Sequence, residues 1–284
     1  MTPTPISIAV AVAPQVAPPV MERARGAARV VLRADGPTTR LFENYQSGSA
    51  KVRFPRGDDR SAIGVVLLNT AGGVTGGDHL TYAATAEEGA AGVVTTQAAE
   101  RIYRRSAGTA RIDTSLTVAA GAALDWLPQE TIVFDGAALS RTLTADVHPG
   151  GRLLAVESVV LGRTAMGERA TNVTIADAWR IRRGGALISA DTLKLDGDAA
   201  SAMAGGATGG GAVAVATLLL VAPDAEARID TARAALAGVE GGASAWNGML
   251  VARLIAATGQ DLRAGLMRLI EALSGRPLPR VWHC

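Results

Sequence analysis

Carboxylates beside apolar segments are the residues of this chain with the clearest capacity for chemistry. Four of them stand at the ends of such segments: Glu130, Asp135, Glu157 and Glu168. A carboxylate in apolar surroundings is costly unless a cation, a hydrogen bond or a metal compensates its charge. Two interpretations therefore stay open. One is a structural ion pair, for which Arg163 and Arg169 are near in sequence; the other is a path for a metal ion or a proton.

The three histidines do not form a metal-binding pattern. His79, His148 and His283 lie far apart, and none stands at ligand spacing from another. His148 precedes Pro149 in a turn, which predicts an exposed side chain. His79 follows Asp78, and such a pair can share a proton or a metal, although a solvent-facing loop histidine fits the same pattern.

Nucleophilic catalysis has no visible basis in the sequence. The chain lacks a Gly-x-Ser-x-Gly elbow, and its single cysteine is the last residue, Cys284. A carboxylate pair is the remaining route to catalysis. The sequence therefore favours a binding or assembly protein that is not an enzyme, and a β-rich enzyme using a carboxylate pair is the alternative.

The segment at residues 68–78 contains four glycines in six positions, from Gly72 to Gly77. A P-loop is excluded because no lysine follows the glycines, and the dinucleotide fingerprint is excluded because valine occupies position 74 and a strand pattern comes next. The segment is therefore interpreted as a tight connection between two strands.

The elements that must position these residues are mostly strands. Alternating apolar and polar residues predict strands around positions 51–54, 115–118, 143–147 and 172–182, and Gly-rich turns separate them. One of these turns is predicted at residues 57–58. The lack of intervening helices argues against βαβ units, so we predict a mainly β, β-helix-like fold of layered sheets.

The last third of the chain adds two helices. One is predicted to begin at Pro223 and end at Gly238, and the other to run from Asp261 to Gly275. Residues 249–256 are apolar enough for a buried strand between them. Residues 199–211 are nearly all Gly and Ala, which predicts a mobile low-complexity loop.

Composition limits the function classes. Of 284 residues 48% are hydrophobic and the net charge is only +2, which argues against nucleic acid as a main partner. No apolar run reaches the roughly 20 residues that cross a membrane. The lone cysteine fits a reducing compartment, so a cytoplasmic protein is expected. Residues 1–24 are predicted to be a disordered extension, and residues 25–284 a single β-rich domain.

Five sequence segments, taken together and in order, indicate a protein family, which no single motif does. The segments are residues 68–78, 95–104, 126–136, 162–168 and 278–282. In their sequence and order they resemble the UreD family (also called UreH) of urease accessory proteins. The resemblance runs from about Gly26 to Trp282.

The resemblance implies a role in assembly. Proteins of this family bind apo-urease and help to load nickel into its active site, together with a helical accessory protein, UreF, and a GTPase, UreG. The family fold is mainly β with a pair of C-terminal helices. No stably bound cofactor is implied. An internal passage for nickel is implied instead, and five carboxylates of the shared motifs would line it: Asp78, Glu130, Asp135, Glu157 and Glu168. Weak oxygen ligands suit an ion in transit, because the ion must be able to leave.

Overall fold

The computed structural model describes residues 22–55 and 62–283 of the chain. A first sheet has the strand order β14-β13-β11-β8-β5-β1-β2. Its strands are β1 (Arg25–Asp35), β2 (Thr38–Gly48), β5 (His79–Ala86), β8 (Ala110–Val118), β11 (Ala138–Val147), β13 (Val173–Arg183) and β14 (Ala186–Gly197).

A second sheet has the order β16-β17-β15-β12-β9-β6-β4-β3, and the short strands β7 and β10 join it beside β12. Its members are β3 (Ala50–Arg53), β4 (Ile63–Asn69), β6 (Ala91–Thr96), β7 (Glu100–Ile102), β9 (Ala123–Leu127), β10 (Thr131–Val133), β12 (Arg152–Leu161), β15 (Ala214–Val221), β16 (Glu240–Trp246) and β17 (Met249–Ala256). The helices are α1 (Ala199–Ala202), α2 (Ile229–Ala235) and α3 (Gly259–Ser274).

The chain alternates between the two sheets and so builds stacked coils. Strands β5, β8, β11 and β13 are parallel neighbours in the first sheet, and β4, β6, β9 and β12 are parallel neighbours in the second. Parallel pairing without connecting helices is the arrangement of a β-solenoid. The prediction of a mainly β, β-helix-like fold is therefore confirmed.

Alternation along each strand explains the core between the sheets. In β8, Ala110, Ile112, Leu116 and Val118 are buried and point inwards, while their polar neighbours face outwards. Apolar residues of both sheets meet in one continuous cluster. The interior of the solenoid is therefore a packed core.

A second apolar cluster lies between the outer face of the second sheet and the helices. Helix α3 begins after Thr258, whose side chain accepts a hydrogen bond from the backbone of Asp261, and ends at Gly275 with φ +67°. Leu262 and Leu269 are among its buried residues. The prediction of this helix is confirmed, with a start two residues earlier than expected.

The preceding helix is shorter than its sequence pattern predicts. A 3₁₀ turn at Glu226–Arg228 leads into α2, which ends at Ala235, and Gly238 adopts φ +75° beyond it. Ala232 and Leu236 are buried as the spacing predicts. Strand β17 has the predicted bounds.

The Gly/Ala segment at residues 199–211 is not entirely a loop. It begins with helix α1, which is capped by Asp198, and Ala199 and Met203 are buried in the core between the sheets. A long apolar side chain and a cap therefore anchor its start, which the composition of the segment obscured.

Four turns that lead from the second sheet to the first lie along one side of the solenoid, here named the loop edge: residues 70–78, 103–109, 134–137 and 162–172. Backbone hydrogen bonds join successive turns. Tyr103 N donates to Val74 O at 2.8 Å, Arg105 N to Gly136 O at 3.0 Å and Gly136 N to Asn172 O at 2.8 Å. Because the strands stack in parallel, motif segments far apart in sequence meet at this edge.

The glycine segment is the first of these turns and connects the two sheets, as its interpretation as a strand connection predicts. Gly73 has φ +142°, and a Cβ there would collide with the ring of Tyr103 and the carbonyl oxygen of Arg101. Glycine at position 73 is therefore required for the close approach of two turns.

Three predictions concern positions outside the described residues: most of the N-terminal extension, the turn at residues 57–58 and Cys284. No helix within the described residues combines the length and apolar character needed to span a bilayer.

Candidate functional site

A cluster of three charged side chains lies inside the solenoid. Arg141 of β11 donates to Glu157 of β12 and to Asp177 of β13, each at 2.6 Å, and all three are buried. Trp126 Nε1 donates to Glu157 at 3.0 Å, and Arg141 donates to Thr131 Oγ1 at 2.9 Å. The cluster therefore ties the first sheet, which carries Arg141 and Asp177, to the second sheet, which carries Glu157.

The electrostatics of this inner ionic cluster are unbalanced. Two carboxylates face one guanidinium, so the fully ionised cluster carries a net negative charge. Burial raises the pKa of Glu157, and Arg141 opposes that shift. Burial also disfavours the charge of Arg141, but Asp177 and Glu157 outweigh it and hold the pKa of Arg141 above its ordinary value.

Two polar atoms of the cluster have no hydrogen-bond partner among the described residues, namely Arg141 Nε and Asp177 Oδ1. An orphaned carboxylate oxygen in a buried, negatively charged cluster can accept a cation or a proton. Of the five predicted carboxylates, Glu157 is the one inside this cluster.

Asp78 and His79 do not share a site. Asp78 is buried and accepts from the backbone N–H groups of Ala24 and Thr75, both at 2.8 Å, which fixes the glycine turn against the start of β1. His79 begins β5 and pairs with Asp113 at 2.8 Å. Of the two interpretations of His79, the pair with Asp78 does not form, because successive residues at the start of a strand point to opposite faces.

Glu130 lies between the second sheet and α3. Arg263 donates to Glu130 at 3.0 Å and to Gln129, and its other nitrogen donates to the carbonyl oxygens of Val281 and Trp282. This arginine joins one motif segment, residues 126–136, to another, residues 278–282.

Asp135 and Glu168 are neighbours at the loop edge. Asp135 accepts from the backbone of Thr171 and Asn172 at 2.9 and 2.8 Å and pairs with Arg104 at 3.2 Å. Partial burial opposes ionisation, but these partners outweigh it and lower the pKa of Asp135.

Glu168 is held by one arginine. Arg163 donates two hydrogen bonds to its carboxylate, at 2.9 and 3.0 Å, and this pairing lowers the pKa of Glu168. The negative charge of Asp135 repels that of Glu168 and so raises the pKa of Glu168, although the effect of Arg163 is larger.

The structure thus distributes the five carboxylates over three places. Asp78, Asp135 and Glu168 are at the loop edge, Glu157 is inside, and Glu130 is under α3. The described residues contain no group of three His, Cys, Asp or Glu side chains able to hold a metal ion. The structural interpretation as an ion pair with Arg163 is confirmed for Glu168, whereas the partner of Glu157 is Arg141.

Sequence reasoning missed Arg141 and Asp177. Both occupy inward positions of alternating strands, where Leu139 and Leu143 flank Arg141 and Ile175 and Trp179 flank Asp177. The period-2 pattern could have identified both residues. A charged residue at an apolar position of a strand is buried and therefore needs a partner of opposite charge.

Glu100 lies in the motif segment at residues 95–104 but is not one of the five predicted carboxylates. Its carboxylate accepts from Asn69 Nδ2 at 3.1 and 3.2 Å, and burial raises its pKa to about 7. Thr131 is its register partner on β10, and Thr131 also contacts Arg141. Glu100 therefore stands one strand away from the inner ionic cluster.

The fold and site define a class: a β-solenoid with helices on one outer face and arginine-compensated carboxylates inside and along one edge. A sequence model described as UreD urease accessory protein matches residues 24–283. A urease accessory protein UreD of Methylobacterium sp. (strain 4-46) is 48% identical over 271 residues, which cover 92% of this chain and 96% of that protein. The chain belongs to the UreD family.

Two further relatives, both named urease accessory protein UreD, are similar to this chain over comparable lengths. The protein of Rhizobium leguminosarum bv. viciae is 48% identical over 263 residues, covering 92% of this chain and 96% of the relative. That of Agrobacterium fabrum (strain C58 / ATCC 33970) is 46% identical over 263 residues, covering 92% of each.

Proposed function

We propose that this chain is a urease accessory protein that binds apo-urease and, with UreF-type and UreG-type partners, assists nickel insertion into the urease active site. The observation that carries the proposal is the family match across residues 24–283. The proposal includes a cytoplasmic location, no catalytic turnover by this chain and no stably bound cofactor.

Nickel in this proposal is cargo, and the carboxylates are transient ligands. All five predicted residues remain candidates: Asp78, Glu130, Asp135, Glu157 and Glu168. Their contacts favour three of them. Glu157 shares a cluster with an orphaned carboxylate oxygen, and Asp135 and Glu168 are adjacent at the loop edge. Competition from arginine keeps cation binding weak, which suits release to a partner.

The test replaces each favoured carboxylate by its amide: Asp135→Asn, Glu157→Gln and Glu168→Gln. Urease is matured in cells that express each variant, and its nickel content is measured beside the yield of the accessory complex in a pull-down. Glu87→Gln is the matched control, because Glu87 is also held by an arginine, Arg33, but lies at the side opposite the loop edge.

We expect less nickel in urease with full complex yield for the three variants and no change for the control. Parallel loss of nickel and complex would instead assign the carboxylate to the fold. Unchanged nickel would remove that residue from the path.

A separate assay tests the alternative function, a β-rich enzyme that uses a carboxylate pair. The purified chain is assayed with urea, esters, peptides and nucleotides, and no turnover is expected. Turnover that survives repurification and disappears with Glu157→Gln or Asp177→Asn would favour an enzyme with a carboxylate pair.

A further inference from the structure

The loop edge carries a dense group of exposed arginines. Four of them have exposed side chains: Arg104, Arg105, Arg163 and Arg169. The carboxylates of the same edge are Asp78, Asp135 and Glu168, and they are buried or half-buried and already accept hydrogen bonds from amides and arginines. The chain as a whole has a net charge of only +2. Two of these arginines, Arg104 and Arg163, pair with Asp135 and Glu168 but are the more exposed member of each pair, so the charge that this edge presents to solvent is mainly positive.

Large apolar side chains are exposed in the same place. Met166 is 76% exposed and Tyr103 is 36% exposed. Arginine, tyrosine and methionine are the residues that protein interfaces concentrate, whereas isolated exposed charges suit a solvated surface.

The side chains of this edge are held in place before any partner arrives. Tyr103 packs edge-on against Phe134 at 5.0 Å, Arg163 lies 4.5 Å from the centre of the same ring, and Glu168 fixes the guanidinium. Backbone hydrogen bonds between successive turns hold the underlying chain. A preformed surface loses little conformational freedom on binding.

We propose that the loop edge is the surface on which this chain receives apo-urease, through a face of urease that combines carboxylates with apolar side chains. The inference rests on the proposed function for the identity of the partner. Charge complementarity carries it: the solvent-facing charge of the edge is positive, and a partner must supply acidic groups around an apolar contact for Met166 and Tyr103. A nucleic acid would satisfy the arginines but would leave Met166 without an apolar contact.

The test compares two matched double variants. Arg169→Glu with Met166→Asp changes the loop edge. Arg40→Glu with Leu187→Asp makes the same kinds of change at the opposite side, where Arg40 and the 49% exposed Leu187 lie near the far ends of β2 and β14. Each tagged chain is co-expressed with the urease subunits, and captured apo-urease is quantified at about 50 mM and about 300 mM salt.

We expect the loop-edge variant to capture at least about tenfold less apo-urease than the unaltered chain, and the opposite-side variant to match the unaltered chain. Capture by the unaltered chain should fall as salt rises, because the contact is between charges. Circular dichroism and melting temperature confirm folding. If the loop-edge variant fails to fold, Arg169→Gln with Met166→Gln replaces it.

Equal capture by both variants would overturn the inference and leave the proposed function standing. Absence of capture by the unaltered chain would overturn both. A short DNA or RNA duplex that binds the unaltered chain but not the loop-edge variant, with urease capture unaffected, would assign the arginines to a nucleic acid and also overturn the inference.

Discussion

Arg141 is the residue on which the interior of the solenoid depends. It compensates two buried carboxylates at once, and it is the only cation that donates to either of them among the described residues. Removing a carboxylate leaves a neutral Arg141–Asp177 pair, whereas removing the arginine leaves two negative charges facing each other in the core.

The first prediction follows from this asymmetry. Arg141→Met should lower the free energy of unfolding by about 3–5 kcal/mol, because it uncovers Glu157 and Asp177. Glu157→Gln should cost only about 1–2 kcal/mol, because it loses one acceptor for Arg141 or Trp126. Urea denaturation of the three chains gives the values. Equal losses for the two variants would show that Arg141 does not balance the cluster.

Glu100 predicts a dependence of stability on pH. Burial raises its pKa from 4.5 to about 7, while Asn69 and Arg101 oppose the shift. The folded state therefore keeps a proton that the unfolded state releases. The stability due to neutral Glu100 is complete below pH 4.5 and is lost as the pH rises through about 7.

The second prediction uses the amide as a permanent neutral mimic. Glu100→Gln should be more stable than the unaltered chain at pH 8, by about 1–3 kcal/mol, and nearly equal to it at low pH. Melting temperatures across this pH range measure the difference. Glu87→Gln is the control, since Arg33 lowers the pKa of Glu87 and the amide should therefore not stabilise the protein at high pH. A constant difference at every pH would contradict the role of Glu100.

At the scale of elements, one side chain fastens the C-terminus to the second sheet. Arg263 of α3 reaches Gln129 and Glu130 on one side and the carbonyl oxygens of Val281 and Trp282 on the other. Its guanidinium lies 5.2 Å from the ring of Trp282, whose indole N–H donates to the carbonyl of Leu127. The two motif segments thus meet through α3.

The third prediction tests this fastening. Arg263→Ala should lower the free energy of unfolding by about 2–4 kcal/mol, because several half-buried acceptors lose a charged donor. Arg268→Ala is the control on the same helix, where the exposed arginine donates one hydrogen bond, to the carbonyl oxygen of Ala264. Urea denaturation and limited trypsin cleavage near Arg276 report the effect. Similar behaviour of the two variants would deny Arg263 this role.

At the scale of the whole molecule, both sheets end in strands that expose large apolar side chains. Phe42 and Tyr45 lie on β2, Leu187 on β14 and Trp246 on β16, and each is at least 44% exposed. Unpaired sheet edges with exposed apolar residues promote association between chains.

The fourth prediction concerns solubility. We expect the chain expressed alone to give little soluble monomer and co-expression with a UreF-type partner to restore the yield, because a partner covers apolar surface. Light scattering and soluble yield measure both states. Co-expression with an unrelated helical protein is the control. A stable monomer at high concentration would contradict this expectation.

Local patterns in the sequence predicted several strands and both C-terminal helices, although α2 is shorter than its pattern indicates. Period-2 alternation identified the strands, and the bounds of β17 and the end of α3 at Gly275 follow from nearest neighbours and caps. The family resemblance likewise depends on short segments in order, and the match across residues 24–283 confirms it. The same local reasoning missed α1, because the apolar anchor Met203 stands alone in a Gly/Ala segment.

The sequence by itself thus determined the class of fold, the main elements and the family of this protein. Only the tertiary structure decided the partners of the carboxylates. Glu157 meets an arginine 16 residues away, Arg141 meets an aspartate 36 residues away, and Glu130 meets an arginine 133 residues away. Strand formation depends on alternation within a few residues. Charge pairing depends on which coils stack, and that is settled by the packing of the whole core.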